Sequence, residues 1–364
     1  MQVMSNKSRI AQFVWSQKET FNKEISEKLD LSMPTVLKNV NELKAEGILQ
    51  EVGVYESMGG RKARRLSMVS ELYYAVGLEI TQNHVNFVIT NLSGEIVYSN
   101  RFRQKFENDK EYFKQLNHTV LEKLAELQIS SEKVLGIGIT LPGIFDMEKN
   151  MFLKSHILDV EDIKLGNISS LFEFPVVFDN DANSALFCEL QMGIKNAWYI
   201  SLSNSVGGAL CQDGELYLGN NNRAGEIGHM IVERNGKVCY CGKKGCLDAY
   251  CSAKILSDQT EDNLAVFFQR LNDGDEKLEG IWDEYLEYLA IAISNVRMCL
   301  DCDVILGGYV GAYMEPYIME LENRILKYDI FEKNISYVKT CCAGKDASAL
   351  GGALYHIRQF MCEL

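Results

Sequence analysis

The sequence predicts an α/β protein in two parts, a small head over residues 1–70 and a larger body that follows in two lobes, 71–190 and 191–364. Three observations point there. The first seventy residues carry apolar residues at helical spacing in three stretches, then two short strand-like segments around a glycine tip. From Leu72 onward strands and helices alternate, the mark of an α/β body. Within that body the strand sets at 72–102 and 197–218 resemble two copies of one plan, which predicts two lobes around a cleft.

In the head, Ile10, Phe13 and Val14 mark a first helix, and Ile25 with Leu29 a second. Ser32 is a natural N-cap for the third, Pro34 sits in its first turn where a missing N–H is harmless, and Val36, Val40 and Leu43 form its buried stripe. Gly47 ends it. Ile48–Tyr55 and Leu66–Val69 then read as a hairpin around Ser-Met-Gly-Gly-Arg-Lys. Three helices followed by a basic hairpin is a winged helix-turn-helix pattern with Ser32–Glu46 as the recognition helix. On its outward face Thr35, Lys38 and Asn39 are candidates for base edges and Lys44 for a phosphate, with Arg61 and Lys62 supplied by the wing. A helical interaction module with a merely solvated charged face is the competing reading.

In the body, Tyr74–Ile80, His84–Asn91 and Glu95–Phe102 read as successive strands, followed by a polar helix from Asp109 to Leu127. Lys133–Thr140 is a buried strand ending in Leu-Pro-Gly, and Pro175–Phe178 is another that runs into Asp-Asn-Asp-Ala-Asn at 179–183. Strand ends in such sheets are where ligands bind. A helix to Met192 leads to strands at Ala197–Leu202, Gly207–Gln212 and Glu215–Leu218. Helices follow at Asn263–Leu271 and Ile281–Cys299, then strands at 303–308 and Ser336–Lys339 and a last helix from Asp346.

Charge and composition narrow the partners. The chain is 364 residues long with a formal charge of −13, yet residues 1–70 hold eleven Lys or Arg against eight Asp or Glu. An acidic body therefore carries a basic head suited to a polyanion. No basic-then-apolar leader or apolar run of spanning length appears, so a cytoplasmic setting with no membrane partner is expected. Eleven cysteines in such a setting argue against a disulfide framework.

Three of those cysteines have meaningful spacing. His229, Cys239, Cys241 and Cys246 fall within eighteen residues, as one nitrogen and three sulfurs with Gly242 and Gly245 to turn the chain. Zinc takes four such ligands tetrahedrally, and four protein ligands leave no open position for a reactive water, so the reading is structural Zn2+. Free buried thiols around a core histidine would explain the composition but not the C-x-C spacing.

Together these residues resemble the ROK family, which joins sugar kinases of the actin-like ATPase fold with sugar-responsive repressors. The resemblance rests on Pro142-Gly143, Asn180-Asp181-Ala182-Asn183 with Glu189, Ala224 to His229, the Cys239–Cys246 cluster, Gly307-Gly308 and Ala349-Leu350-Gly351. The winged head places the chain on the repressor side, most similar to xylose and N-acetylglucosamine repressors. The resemblance implies sugar contacts from Gly143, Asn180, Asp181, Glu226 and His229, whose second ring nitrogen would face the sugar. At position 248 the family pattern is Glu, and Asp248 is one methylene shorter. A sugar contact there is expected to be lengthened, bridged by water or lost, and a first-turn helix carboxylate is its other reading.

In kinase members the residue matching Asp181 is also the general base. Those members carry Asp-x-Gly-Gly-Thr after the first strand, where this chain has Glu79-Ile-Thr-Gln-Asn. Ser205 stands in the second phosphate loop where a glycine is usual, and Tyr309 follows Gly307-Gly308. Phosphoryl transfer depends on cradling phosphates, so no kinase activity and no ATP are expected. The expected function is a sugar-responsive DNA-binding repressor of carbohydrate uptake or catabolism genes, acting as a homodimer, possible also as a tetramer, on double-stranded operator DNA. An ATP-dependent sugar kinase with a regulatory head and a zinc-stabilised interaction scaffold are the alternatives.

Overall fold

The computed structural model describes residues 4–54 and 64–364. In the head, α1 (Asn6–Gln17), α2 (Asn22–Leu29) and α3 (Met33–Ala45) bury Ile10, Val14, Ile25, Val36, Val40 and Leu43 in a common core. Ser32 caps α3 as its residue type predicts: its hydroxyl accepts the Thr35 amide at 3.4 Å. The short β1 (Glu19–Thr20) joins the hairpin of β2 (Leu49–Val54) and β3 (Arg64–Met68) in a sheet of order β1-β3-β2. Two residues are too few to show a period, which is why β1 is invisible in the sequence. The hairpin tip with Arg61 and Lys62 lies outside the described residues.

The body holds two five-stranded sheets. The first contains β4 (Tyr74–Ile80), β5 (His84–Asn91), β6 (Ile96–Arg103) and β7 (Val134–Leu141), with α4 (Lys110–Glu126) packed on it through Tyr112, Phe113, Leu116 and Val120. Between β7 and its outer neighbour, β8 (Ile144–Asp146), β9 (Met151–Ser155) and β10 (Val160–Lys164) form a small antiparallel sheet, followed by α5 (Leu165–Ser169). No element is legible at 144–164 in the sequence, because strands of three to five residues with mixed burial carry little period. The fifth strand is β11 (Val176–Asn180), and α6 (Asp181–Leu190) follows it directly.

The second sheet contains β12 (Ala197–Leu202), β13 (Val206–Gln212) and β14 (Glu215–Leu216). A helical region follows, with α7 (Asp248–Cys251), α8 (Ala253–Ser257), α9 (Leu264–Asn272) and the 25-residue α10 (Glu276–Leu300). Then come β15 (Asp303–Gly307), α11 (Gly308–Gly311), α12 (Ile318–Ile325), β16 (Val338–Thr340) and α13 (Ala347–Cys362). The sheet orders are β11-β7-β4-β5-β6 and β14-β13-β12-β15-β16. In each, the earliest strand is central, the next two continue antiparallel on one side, and the last two lie parallel on the other. The two copies of one plan read from the sequence are therefore present as two sheets.

Helix α13 differs from the expected division at residue 190. It follows the second sheet in sequence but packs on β4, β7 and α6, where a Cβ at Gly138 would overlap the backbone of Gly352. Chain order alone assigned it to the later lobe; this backbone contact assigns it to the first. Its far end reaches the head: Ser8 Oγ donates to the Cys362 carbonyl at 3.3 Å, and Ala349, Ala353, Ile357 and Met361 share one core with Ile10 and Val14. Among the described residues no helix is long and apolar enough to cross a membrane.

Candidate functional site

A cavity of about 570 Å³ opens beyond β11, lined by Gly143, Asp179, Asn180, Asn183, Arg223 and Glu226 among others. Asn180 organises it. Its Oδ1 accepts the amides of Ala182 and Asn183 at 2.9 and 3.1 Å, capping α6, and its Nδ2 donates to the Gly143 carbonyl at 3.0 Å. Gly143 has φ 152°, and a Cβ there would lie 2.5 Å from the Lys154 carbonyl oxygen and 2.6 Å from the Phe152 ring. Only glycine fits between the small sheet and the cavity floor.

Carboxyl groups dominate the electrostatics. Burial pushes Asp181 up to about 6, against the opposing bond from the Ala182 amide. Glu226 is also raised, first by desolvation and then by Asp181, with Arg223 opposing. Asp179 is pushed up to about 6 by burial while its Oδ2 accepts the Tyr355 hydroxyl at 2.7 Å. Such a group of carboxyls and amides offers donors and acceptors at fixed angles, which is what a ring of hydroxyls requires. Gly143, Asn180 and Glu226 are thus brought together on the cavity wall. Asp181, His229 and Asp248 are not part of that lining.

The ligand atoms of His229, Cys239, Cys241 and Cys246 all lie within 4.8 Å of one another. His229 Nδ1 is 3.8 Å from Cys239 Sγ, and the sulfurs of Cys241 and Cys246 are 3.8 Å apart. A tetrahedron with metal–sulfur arms of about 2.3 Å has edges of about that length, so the four residues fit a zinc ion and could hold one. The other ring nitrogen, Nε2, faces the Tyr240 hydroxyl at 3.3 Å. Tyr240 carries one signal in the sequence, its place inside C-x-C, and that spacing points to metal ligation and not to this contact.

Asp248 opens α7 and is buried, with Oδ1 accepting the Val206 amide at 2.6 Å. Desolvation pushes its carboxyl up to about 6 despite that bond. Of the expected readings for Asp248, a sugar contact lengthened, bridged by water or lost, or a first-turn helix carboxylate, the position at the start of α7 matches the second, with the carboxylate bonded to the start of β13.

The end of β4 carries a different polar group. Glu79 is buried, and desolvation followed by Asp181 pushes its carboxyl up to about 8, with Arg101 opposing. Arg101 of β6 stacks over the ring of Tyr309 in α11, 4.7 Å from its centroid. Nearby, Asn86 Nδ2 donates to the Lys345 carbonyl and to Asp346 Oδ1, both at 3.1 Å, and Ser99 Oγ to Asp346 Oδ2 at 3.0 Å. These contacts join the first sheet to α11 and to the turn that begins α13.

The model of the ROK family matches residues 75–359, from β4 almost to the end of α13. The chain belongs to the ROK family. Among curated proteins it is 30% identical over 257 residues to a putative xylose repressor of Caldicellulosiruptor sp. (strain Rt8B.4), covering 69% of this chain and 64% of that one. This chain's match therefore spans less than two thirds of that relative's length. To the xylose repressor of Bacillus spizizenii it is 26% identical over 360 residues, covering 93% and 91%. Among solved structures, a ROK family transcriptional regulator homologous to the Mlc protein of E. coli superposes with TM-score 0.75 at 21% identity, over 98% and 97% of the two chains, and shares the fold.

Outside the matched ROK region, the head places its candidates unevenly. Lys38 is exposed, 3.9 Å from Glu42. Lys44 and Arg64 both pair with Glu51. Thr35 and Asn39 are half-buried, and Asn39 Nδ2 donates to the Thr35 carbonyl at 2.8 Å.

Proposed function

We propose that this ROK protein is a DNA-binding transcriptional regulator, a repressor of carbohydrate uptake or catabolism genes, whose body binds a sugar without phosphorylating it. The observation that carries the reading is a head of three helices and a β-hairpin, the arrangement expected of a winged helix-turn-helix, which shares one hydrophobic core with the C-terminal helix of a ROK body. Similarity to xylose repressors supports it and makes xylose the first sugar to test. The units are the head over 1–70, a first lobe over 71–190 that also takes α13, and a second lobe over the rest.

In this reading Gly143, Asn180 and Glu226 bind sugar hydroxyls from the cavity wall, Asp181, the buried neighbour of Glu226, joins them as the cleft closes on the sugar, and His229 offers its Nε2 once Tyr240 yields. Asp248 supports them through Val206. His229 Nδ1 with Cys239, Cys241 and Cys246 would hold Zn2+, which supplies a rigid clamp. On this reading α3 meets operator DNA through Lys38 and Lys44, with Thr35 and Asn39 half-buried at its margin and Arg61 and Lys62 adding positive charge, and a homodimer would place two recognition helices in successive major grooves. The group of Glu79, Arg101 and Tyr309 puts an acid and a ring where a nucleotide's phosphates need amides, which supports a sensor over a kinase.

Titration calorimetry on the full chain tests the reading. Heat with xylose or another candidate sugar, none with a non-hydrolysable ATP analogue, and weaker operator binding in the presence of the sugar are the expected results. ATP-analogue binding together with sugar phosphorylation would overturn it in favour of the kinase reading.

A further inference from the structure

The outward face of α3 is not the one its polar residues suggest. Thr35 Oγ1 lies 2.8 Å from Ser32 Oγ, and Asn39 is tied to the Thr35 carbonyl, so both use bonding capacity within the helix. The residues that stand clear in the first two turns include Met33, 37% exposed, Leu37, 44% exposed, and Lys38. Met33 and Leu37 are four apart and form one ridge. The same helix buries Val36, Val40 and Leu43 on its other side, so the ridge is not needed for the head's own core.

In the major groove guanine presents two acceptors and adenine an acceptor and a donor, whereas thymine adds to its O4 acceptor a 5-methyl group, which an apolar side chain complements. Flanking phosphates favour a cation beside that contact, which Lys38 supplies, and the formal +3 of residues 1–70 complements the closely spaced negative charge of a duplex. We infer that Leu37 is a specificity-determining residue that packs on a thymine methyl group in the major groove, with Met33 extending the apolar ridge and Lys38 on the adjoining backbone. The inference rests on the reading of the head as a DNA-binding unit.

The test selects duplexes from a randomised pool with the full-length protein and then replaces each thymine with uracil, which removes only the methyl group. One thymine per half-site should show about four-fold weaker binding on replacement, the ratio expected for one buried methyl group. Leu37→Ala should bind thymine and uracil duplexes alike, and Leu37→Gln should do the same if the alanine variant proves unstable. Leu37→Met should retain the preference. Lys38→Ala should weaken both duplexes equally and reduce the salt dependence. A wild-type protein that binds its selected duplex yet ignores every thymine-to-uracil change overturns the inference. So does a Leu37→Ala protein that keeps the full preference, or one whose DNA binding is unchanged, which would assign the ridge to a protein partner. Failure to select any duplex overturns the DNA-binding reading itself and this inference with it.

Discussion

Asp248 and Glu79 show how little of a buried carboxyl's role is local. Asp248 holds the amide of Val206, so Asp248→Ala would leave that amide unmet and lower stability by about 1–3 kcal/mol, measurable by urea unfolding. Asp248→Asn, which keeps an acceptor oxygen, should recover much of the loss. Glu79 works in the opposite sense. Its carboxyl is pushed up to about 8 from 4.5, chiefly by desolvation. Between those values the folded chain holds a proton that the unfolded chain has released, so this group's effect on stability falls as pH rises through the window. Glu79→Gln should therefore flatten the dependence of melting temperature on pH between about 4.5 and 8 and give a higher melting point than wild type at pH 8.5. An unchanged pH profile would mean that Arg101 already compensates the ionised form.

Among the elements, the turn from His229 to Cys246 and helix α13 are the two whose integrity other parts depend on. If the cluster holds Zn2+, Cys241→Ser, which removes one ligand, or a strong chelator, which removes the ion, should lower both melting temperature and the proposed sugar response. A Cys241→Ser protein with normal zinc content and normal response would refute the clamp. Helix α13 is legible as a helix from its apolar period, but not as a bridge. Its sixteen residues span about 24 Å, enough to run from the Asp346 contacts to the Ser8 contact in the head. Gly138→Ala would force Gly352 away and should destabilise the protein by about 1–3 kcal/mol, read as a lower melting temperature.

At the scale of the whole molecule, a sensor that couples sugar to DNA must do so reciprocally. Saturating sugar and operator DNA should weaken each other's binding by the same factor, because the coupling free energy belongs to both equilibria. Equal sugar affinity with and without operator would refute the coupling. What the sequence determined by itself was the inventory: the winged head from its helical periods, the α/β body from alternating strands and helices, and the metal-binding potential from C-x-C spacing. Each is written within a few residues, where periodicity and ligand spacing act. Only the tertiary structure decided that α13 belongs with the first sheet and the head, that Asp248 turns to Val206, that Thr35 and Asn39 bond within α3 while Leu37 stands clear, and that Arg101 meets Tyr309. Those outcomes depend on contacts between residues far apart in the chain, and no local period records which of them will meet.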